Sequence, residues 1–184
     1  MRVLAISGSL RDASYNTALL RALREEAPDG IEIELWQGLK QIPPYDADDD
    51  TVPGPEAVEA FRELVREVDA VFFATPEYNS SVPGALKNAL DWASRPLATN
   101  SFRNKPVAVI SSSAGAFGGV WAAAELRKVL GAMGSRVTEA ELAVGHAMEK
   151  LDADGHLVDD DVRQGLRDAL QVLVAEVPSA LQAA

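Results

Sequence analysis

The chain has 184 residues, 47% hydrophobic and 24% charged, with 17 basic and 28 acidic side chains and a formal net charge of −11. That length suits one domain spanning residues 1–184, and the average field repels nucleic acid, so an anionic ligand needs a locally built site. There is no cysteine, which excludes disulfides, thiolate metal sites and thiol redox chemistry; redox chemistry would need a bound cofactor.

The N-terminus, MRVLAISGSLR, offers only a short apolar run before polar residues, too little for a signal peptide. No apolar stretch approaches the roughly 18 residues of a membrane span. A cytoplasmic protein without membrane partners is expected.

Residues 3–7 (VLAIS) form a continuous apolar run that fits a strand buried on both faces. Residues 16–27 place Leu19, Leu20, Leu23 and Ala27 at helical spacing, and Pro28-Asp29-Gly30 stops the pattern. IEIELW (31–36) alternates like a half-exposed strand, and a long connection rich in proline and aspartate follows. Residues 55–68 predict a helix with Val58, Phe61, Leu64, Val65 and Val68 inward. AVFFAT (70–75) predicts another buried strand. Residues 84–95 form the next helix, VAVIS (107–111) a fourth strand, 118–134 a helix, and 135–144 a fifth strand. DADGHLVDD makes a polar turn before a closing amphipathic helix at 161–176. Strands that alternate with helices, and that read as apolar runs, predict an α/β fold with a parallel sheet covered on both faces.

Ligands of such a sheet bind at the carboxyl ends of the strands, near the point where strand order reverses. The loops after strands one, three and four are GSLRDASYN, PEYNSSVPG and SSSAGAFGG, and all three are rich in small and polar residues. In the first, Gly8 permits close approach, while Ser9, Ser14, Asn16 and Thr17 offer side-chain donors. The following helix aims free N–H groups into the same space, and Arg11 adds a forked cation suited to phosphate. The same residues also suit a capped turn, with Ser14 or Asn16 as N-cap, and the two roles can coexist. The nucleotide P-loop lacks its second glycine and lysine here. The dinucleotide pattern lacks its glycines, and no acidic residue ends strand two, which closes on Leu35-Trp36.

G-S-L-R-x-x-S-x-N, T-P-E-Y-N-x-S-x-P-G-x-L-K-N-A-x-D-W and S-S-x-G-x-x-G-G together resemble the NAD(P)H-dependent FMN reductases, which include bacterial quinone and chromate reductases. The likeness covers roughly residues 1–135. It implies a flavodoxin-like three-layer sandwich with a five-stranded parallel sheet of order 2-1-3-4-5. It further implies an FMN phosphate held by Ser9, Arg11, Ser14, Asn16 and Thr17, with Leu10 and Tyr15 in the same loop. Pro76, Glu77, Tyr78 and Asn79 would border the isoalloxazine ring, and Ser112, Ser113 and Gly115 would close the other side. Backbone N–H groups of Glu77 to Asn79 could face the ring edge, and Tyr78 could supply an aromatic wall. The Glu77 side chain reads equally well as a site residue or as solvated.

In the 84–95 helix, Leu86, Ala89, Leu90 and Ala93 make the packed face, and Lys87, Asn88, Asp91 and Trp92 fall mostly on other sides. Trp92 is either a core residue or, as the resemblance implies, part of a dimer contact; Trp121 raises the same question. A homodimer or homotetramer is the implied assembly. Asp46 to Asp50 imitates a calcium loop without its glycine and its twelfth-position acid, and Asp152-Ala153-Asp154-Gly155 reads as a turn.

The resulting expectation is an enzyme without a catalytic side chain or metal of its own, in which FMN carries the chemistry. NAD(P)H would reduce the flavin, and quinones or other small electrophiles would take the electrons in a ping-pong sequence. The rival is a flavodoxin-like electron carrier with no nicotinamide site. A receiver domain would need acidic residues where strands one and three end in Ser7 and Thr75.

Overall fold

The computed structural model describes residues 1–178. Five strands, β1 (Arg2–Ser7), β2 (Glu32–Trp36), β3 (Ala70–Thr75), β4 (Pro106–Ser112) and β5 (Arg136–Val144), pair in parallel in the order β2-β1-β3-β4-β5. The helices are α1 (Tyr15–Glu25), α2 (Glu56–Glu67), α3 (Gly84–Ala93), α4 (Val120–Ala132) and α5 (Asp160–Ala175).

Neighbouring strand residues point to opposite faces, and here both faces are buried. Leu4, Ile6, Val71, Phe73, Val107 and Val109 pack with α2, α3 and α4 on one side. Val3, Ala5, Phe72, Ala74, Ala108 and Ile110 pack with α1 and α5 on the other. Continuous apolar runs therefore become central strands because each successive side chain meets a helical layer. The chain order reverses between β1 and β3, which opens the crevice at their carboxyl ends.

Three local features depart from the sequence reading. The connection after β2 folds into one-turn 3-10 helices at Gly38–Gln41 and Ala47–Asp49 and packs on α3. It covers Trp92, which is fully buried and donates from Nε1 to the Pro43 carbonyl at 2.9 Å. Trp92 thus belongs to the core, and its placement away from the packed face is corrected: α3 has a second buried side. Next, the acidic stretch that imitates a calcium loop ends in an ion pair: Asp50 lies 2.9 Å from the buried Arg62, which also bonds Glu59 and the Trp92 carbonyl. Finally, β5 carries two extra residues against β4, where Val107 faces Val137 but Val109 faces Glu141. Arg127 from α4 donates to the carbonyls of Val109, Thr138 and Ala140, satisfying backbone that the bulge strips of ladder partners.

Candidate functional site

The first loop is shaped by its own hydroxyls. Ser14 is the N-cap of α1, accepting from the Thr17 amide at 3.3 Å, which settles the choice between Ser14 and Asn16. Ser9 Oγ accepts from the Arg11 amide, and Arg11 Nη2 donates to the Ala13 carbonyl, both at 3.3 Å. The Arg11 guanidinium lies 5.7 Å from the Tyr15 ring centre, so the fork is held over the loop. The amides of Tyr15 and Asn16 precede the helix's own bonds and carry its positive dipole end. Gly8 is fixed by close packing: a Cβ there would lie 3.0–3.2 Å from Leu86, Thr75 and Pro76. Glycine at this position lets the first and second loops touch.

The second loop is a tight hairpin. Asn79 and Ser80 both adopt left-handed backbone, and Tyr78 and Ser81 exchange backbone bonds at 3.1 and 3.2 Å. The Tyr78 amide is therefore engaged by Ser81, which corrects the expectation that the amides of Glu77 to Asn79 all face a ligand. The Glu77 side chain is engaged too. Its Oε2 accepts from the amides of Trp121 and Ala122 at 3.0 and 3.1 Å, capping α4 across 44 residues of chain. Ser81 Oγ donates to Glu125 Oε2 at 2.5 Å, and that contact holds the Glu125 carboxyl below the usual range. Two acidic side chains thus fasten the hairpin to α4. The Glu77 role was invisible locally, because its partners are backbone groups of a distant helix.

In the third loop, Gly118 and Gly119 have positive φ, and a Cβ on Gly118 would sit 2.6 Å from the Ala143 carbonyl carbon. Backbone bonds from Ser113 to Val144 and from His146 to Gly115 pin the loop to the end of β5.

The three loops meet. A cavity of about 140 Å³ is lined by Ser9, Arg11, Ser14, Tyr15 and Asn16, by Pro76, Glu77 and Tyr78, and by Ser112, Ser113 and Ala114. Of the other residues singled out in the sequence, Leu10 and Thr17 line an adjoining cavity, Thr17 donating to Ser7 Oγ at 2.9 Å. Asn79 lies at the hairpin tip, and Gly115 lies outside the cavity walls, where its carbonyl accepts from the His146 and Gly118 amides. Asn16 crosses the site, donating to the Ser112 carbonyl at 3.0 Å. Its Oδ1 and the Oγ atoms of Ser111 and Ser112 are buried without a hydrogen-bond partner. Buried polar atoms left open cost stability; Asn16 and Ser112 lie on the wall of this cavity, whereas Ser111 lines a separate one beside α4 and β5.

The family-level comparison decides the assignment: residues 1–149 match the model of the NADPH-dependent FMN reductases. The chain belongs to that family. It is 44% identical over 174 residues to an NAD(P)H-dependent FMN reductase of Pseudomonas aeruginosa, covering 94% of this chain and 93% of the relative. It is 42% identical over 183 residues to an NADPH:quinone oxidoreductase of Arabidopsis thaliana, covering 95% and 91%. Among solved structures, FerB, a flavoenzyme NAD(P)H:(acceptor) oxidoreductase from Paracoccus denitrificans, superimposes with a TM-score of 0.85 at 32% identity, covering 96% and 99%.

The chemistry of the walls suits a phosphate and a flavin ring, and a cavity of about 140 Å³ encloses part of that group. One end has Arg11, two serines and the start of a helix, a donor set suited to a phosphate; the other has Pro76, Tyr78 and small third-loop residues. Outside this edge, Asp152, Asp154 and His156 approach one another, but all three are exposed, and Asp152 is occupied by the amides of Asp154 and His156. That trio closes a turn.

Proposed function

We propose that this chain is an FMN-dependent oxidoreductase that draws reducing equivalents from NAD(P)H and delivers them to quinones or other small electrophilic acceptors. The observation that carries the reading is the convergence of three chain-distant loops on one cavity whose walls hold open buried polar atoms. The relatives named for FMN and quinone reduction support it. When bound, FMN supplies a two-electron relay, so nucleotide and acceptor use one face in turn, in ping-pong order.

The protein's own residues bind and orient. Arg11 and the first turn of α1 neutralise the phosphate, while Ser9 and Ser14 fix the loop around it. Asn16 and Ser112 offer their open oxygens to hydroxyl or ring donors. Pro76 and the hairpin clamped by Glu77 and Glu125 set the position of the ring end, with Tyr78 as its wall. Leu10, Thr17, Asn79 and Gly115 shape the loops from behind. Phe117 (67% exposed) and Trp121 (50% exposed) stack edge to face at 5.2 Å close beside the Glu77 clamp. Such an exposed aromatic pair supports a homodimer or homotetramer whose second copy covers this rim.

The test is steady-state turnover of FMN-loaded protein with NADPH or NADH and menadione. Parallel double-reciprocal lines are expected. A carrier would turn over only after a separate reductase was added, and protein that took up no FMN would end the proposal.

A further inference from the structure

A cavity of about 330 Å³ opens at the amino edge of the sheet, at the far end of the strands from the three loops. It is walled by the turn from α2 into β3 and by the segments leading into β4 and β5. Its charged residues are four cations, Arg66, Arg103, Lys105 and Arg136, against two carboxylates, Glu67 and Asp69. In a chain of net charge −11 this is a local reversal of sign.

Both carboxylates are engaged by Arg2, which does not line the cavity. Asp69 Oδ2 accepts from the Arg2 amide at 2.7 Å, and Glu67 Oε2 lies 3.7 Å from Arg2 Nη1. Of the four cations, Arg66 has a close carboxylate, Glu63 at 2.9 Å. Arg136 reaches Glu176 at 3.9 Å, and among the described residues neither Arg103 nor Lys105 has an ion-pair partner.

Backbone carbonyls hold these last three instead. Arg103 Nη2 donates to Leu97 at 3.0 Å, Arg136 Nε to Asn104 at 3.1 Å, and Lys105 Nζ to Arg66 at 3.3 Å and to Val68. A carbonyl orients a cation without neutralising it. A guanidinium has five N–H donors and an ammonium three, so each side chain keeps donors unspent. Burial lowers the Lys105 pKa, with the Asp69 charge opposing, as befits an ammonium short of counter-charge. The two segments are also tied together: the Asn104 amide donates to the Gly134 carbonyl and the Arg136 amide to the Lys105 carbonyl, both at 2.9 Å.

The remaining walls narrow the ligand. No aromatic ring lines the cavity, so a nucleotide base would find no ring to stack on; the apolar lining is Val68, Pro106 and Pro178. The volume stands at the lower end of the roughly 300–1,000 Å³ of ligand pockets, which suits a compact ion. Forked guanidinium groups match phosphoryl oxygens in pairs.

We propose that this cavity is a separate anion site for a phosphoryl polyanion of pyrophosphate size, gripped by Arg103 and Arg136 with the Lys105 ammonium as counter-charge. It shares no residue with the three-loop cavity, so it stands whether or not the oxidoreductase reading holds. Only binding is added; no bond is made or broken.

The test is calorimetry with sodium pyrophosphate on FMN-saturated protein at fixed ionic strength. The variants are Arg103→Ala, Arg136→Ala, the two combined, and a control, Arg24→Ala with Lys128→Ala, which removes two exposed cations elsewhere. Wild type should bind one pyrophosphate per chain, about tenfold or more tightly than orthophosphate or citrate. The double variant should lose about tenfold or more in affinity and each single variant part of that, while the control and the FMN content stay unchanged. Arg103 and Arg136 are exposed, so the variants should fold, and melts without pyrophosphate check this. Wild type that binds no pyrophosphate, or a double variant that binds it undiminished, overturns the site. An equal loss in the control would trace binding to mean charge and overturn it too, and citrate bound as tightly would overturn the phosphoryl class.

Discussion

Two buried asparagines mark opposite ends of the sheet. Asn100, 4% exposed, lies before β4 at the amino edge. Its Nδ2 donates to the carbonyls of Leu97 and Met133 at 3.1 and 3.0 Å, and its Oδ1 accepts from the Phe102 amide at 3.0 Å. Asn16, 2% exposed, lies at the carboxyl edge with its amide nitrogen on Ser112 and its oxygen open. Asn100 spends its whole amide on protein groups, although Ser101 Oγ and Arg95 Nε near it are buried without a partner. Asn16 keeps its oxygen unspent on the wall of the three-loop cavity, next to the likewise unpartnered Ser112 Oγ. The amino edge repeats its pattern at Lys105, whose Nζ donates to the carbonyls of Arg66 and Val68.

The contrast breaks most easily at the first loop. Replacing Ser9 and Arg11 together with alanine should raise the FMN dissociation constant about 100-fold or more, because charge-assisted bonds to the phosphate go. Thermal stability should hardly move, since neither side chain is buried; a fluorescence titration and a melt check both halves. Asn100→Ala should do the reverse. Three hydrogen bonds, two of them buried, are lost at a cost of about 3 kcal/mol, lowering Tm by roughly 6–12 °C while FMN affinity stays put. Glu77→Gln should weaken the cap on α4 by about 1 kcal/mol, read by urea denaturation.

The smallest effect is one of pH. Burial lowers the Lys105 pKa from its ordinary 10.5, with the Asp69 charge opposing. Above its folded value the native lysine sheds its proton while the unfolded one keeps it, so this group makes stability rise with pH up to about 10.5. Urea melts of wild type minus Lys105→Met across that alkaline window should show the slope. A flat difference would mean the amino edge is less closed than its bonds imply.

The parallel sheet was legible because β1, β3 and β4 are unbroken apolar runs, which only a doubly covered sheet can bury; its strand order was implied by the family resemblance. The three loops were legible as clusters of glycine, serine and asparagine placed at strand ends. What stayed hidden depends on partners far along the chain. Glu77 reads equally as a site residue or as solvated until α4 presents its amides. Trp92 stays open between core and dimer contact until the connection through Pro43 and Tyr45 folds over α3. The Tyr78 amide looks free until Asn79 and Ser80 turn the chain back. No local periodicity encodes these contacts.

Amide hydrogen exchange with and without FMN tests the shared cradle most directly. The account predicts added protection in residues 9–17, 77–79 and 112–115 at the same FMN concentration, with residues 97–105 unchanged. Protection confined to a single loop, or appearing around Asn100 and Lys105 instead, would contradict it.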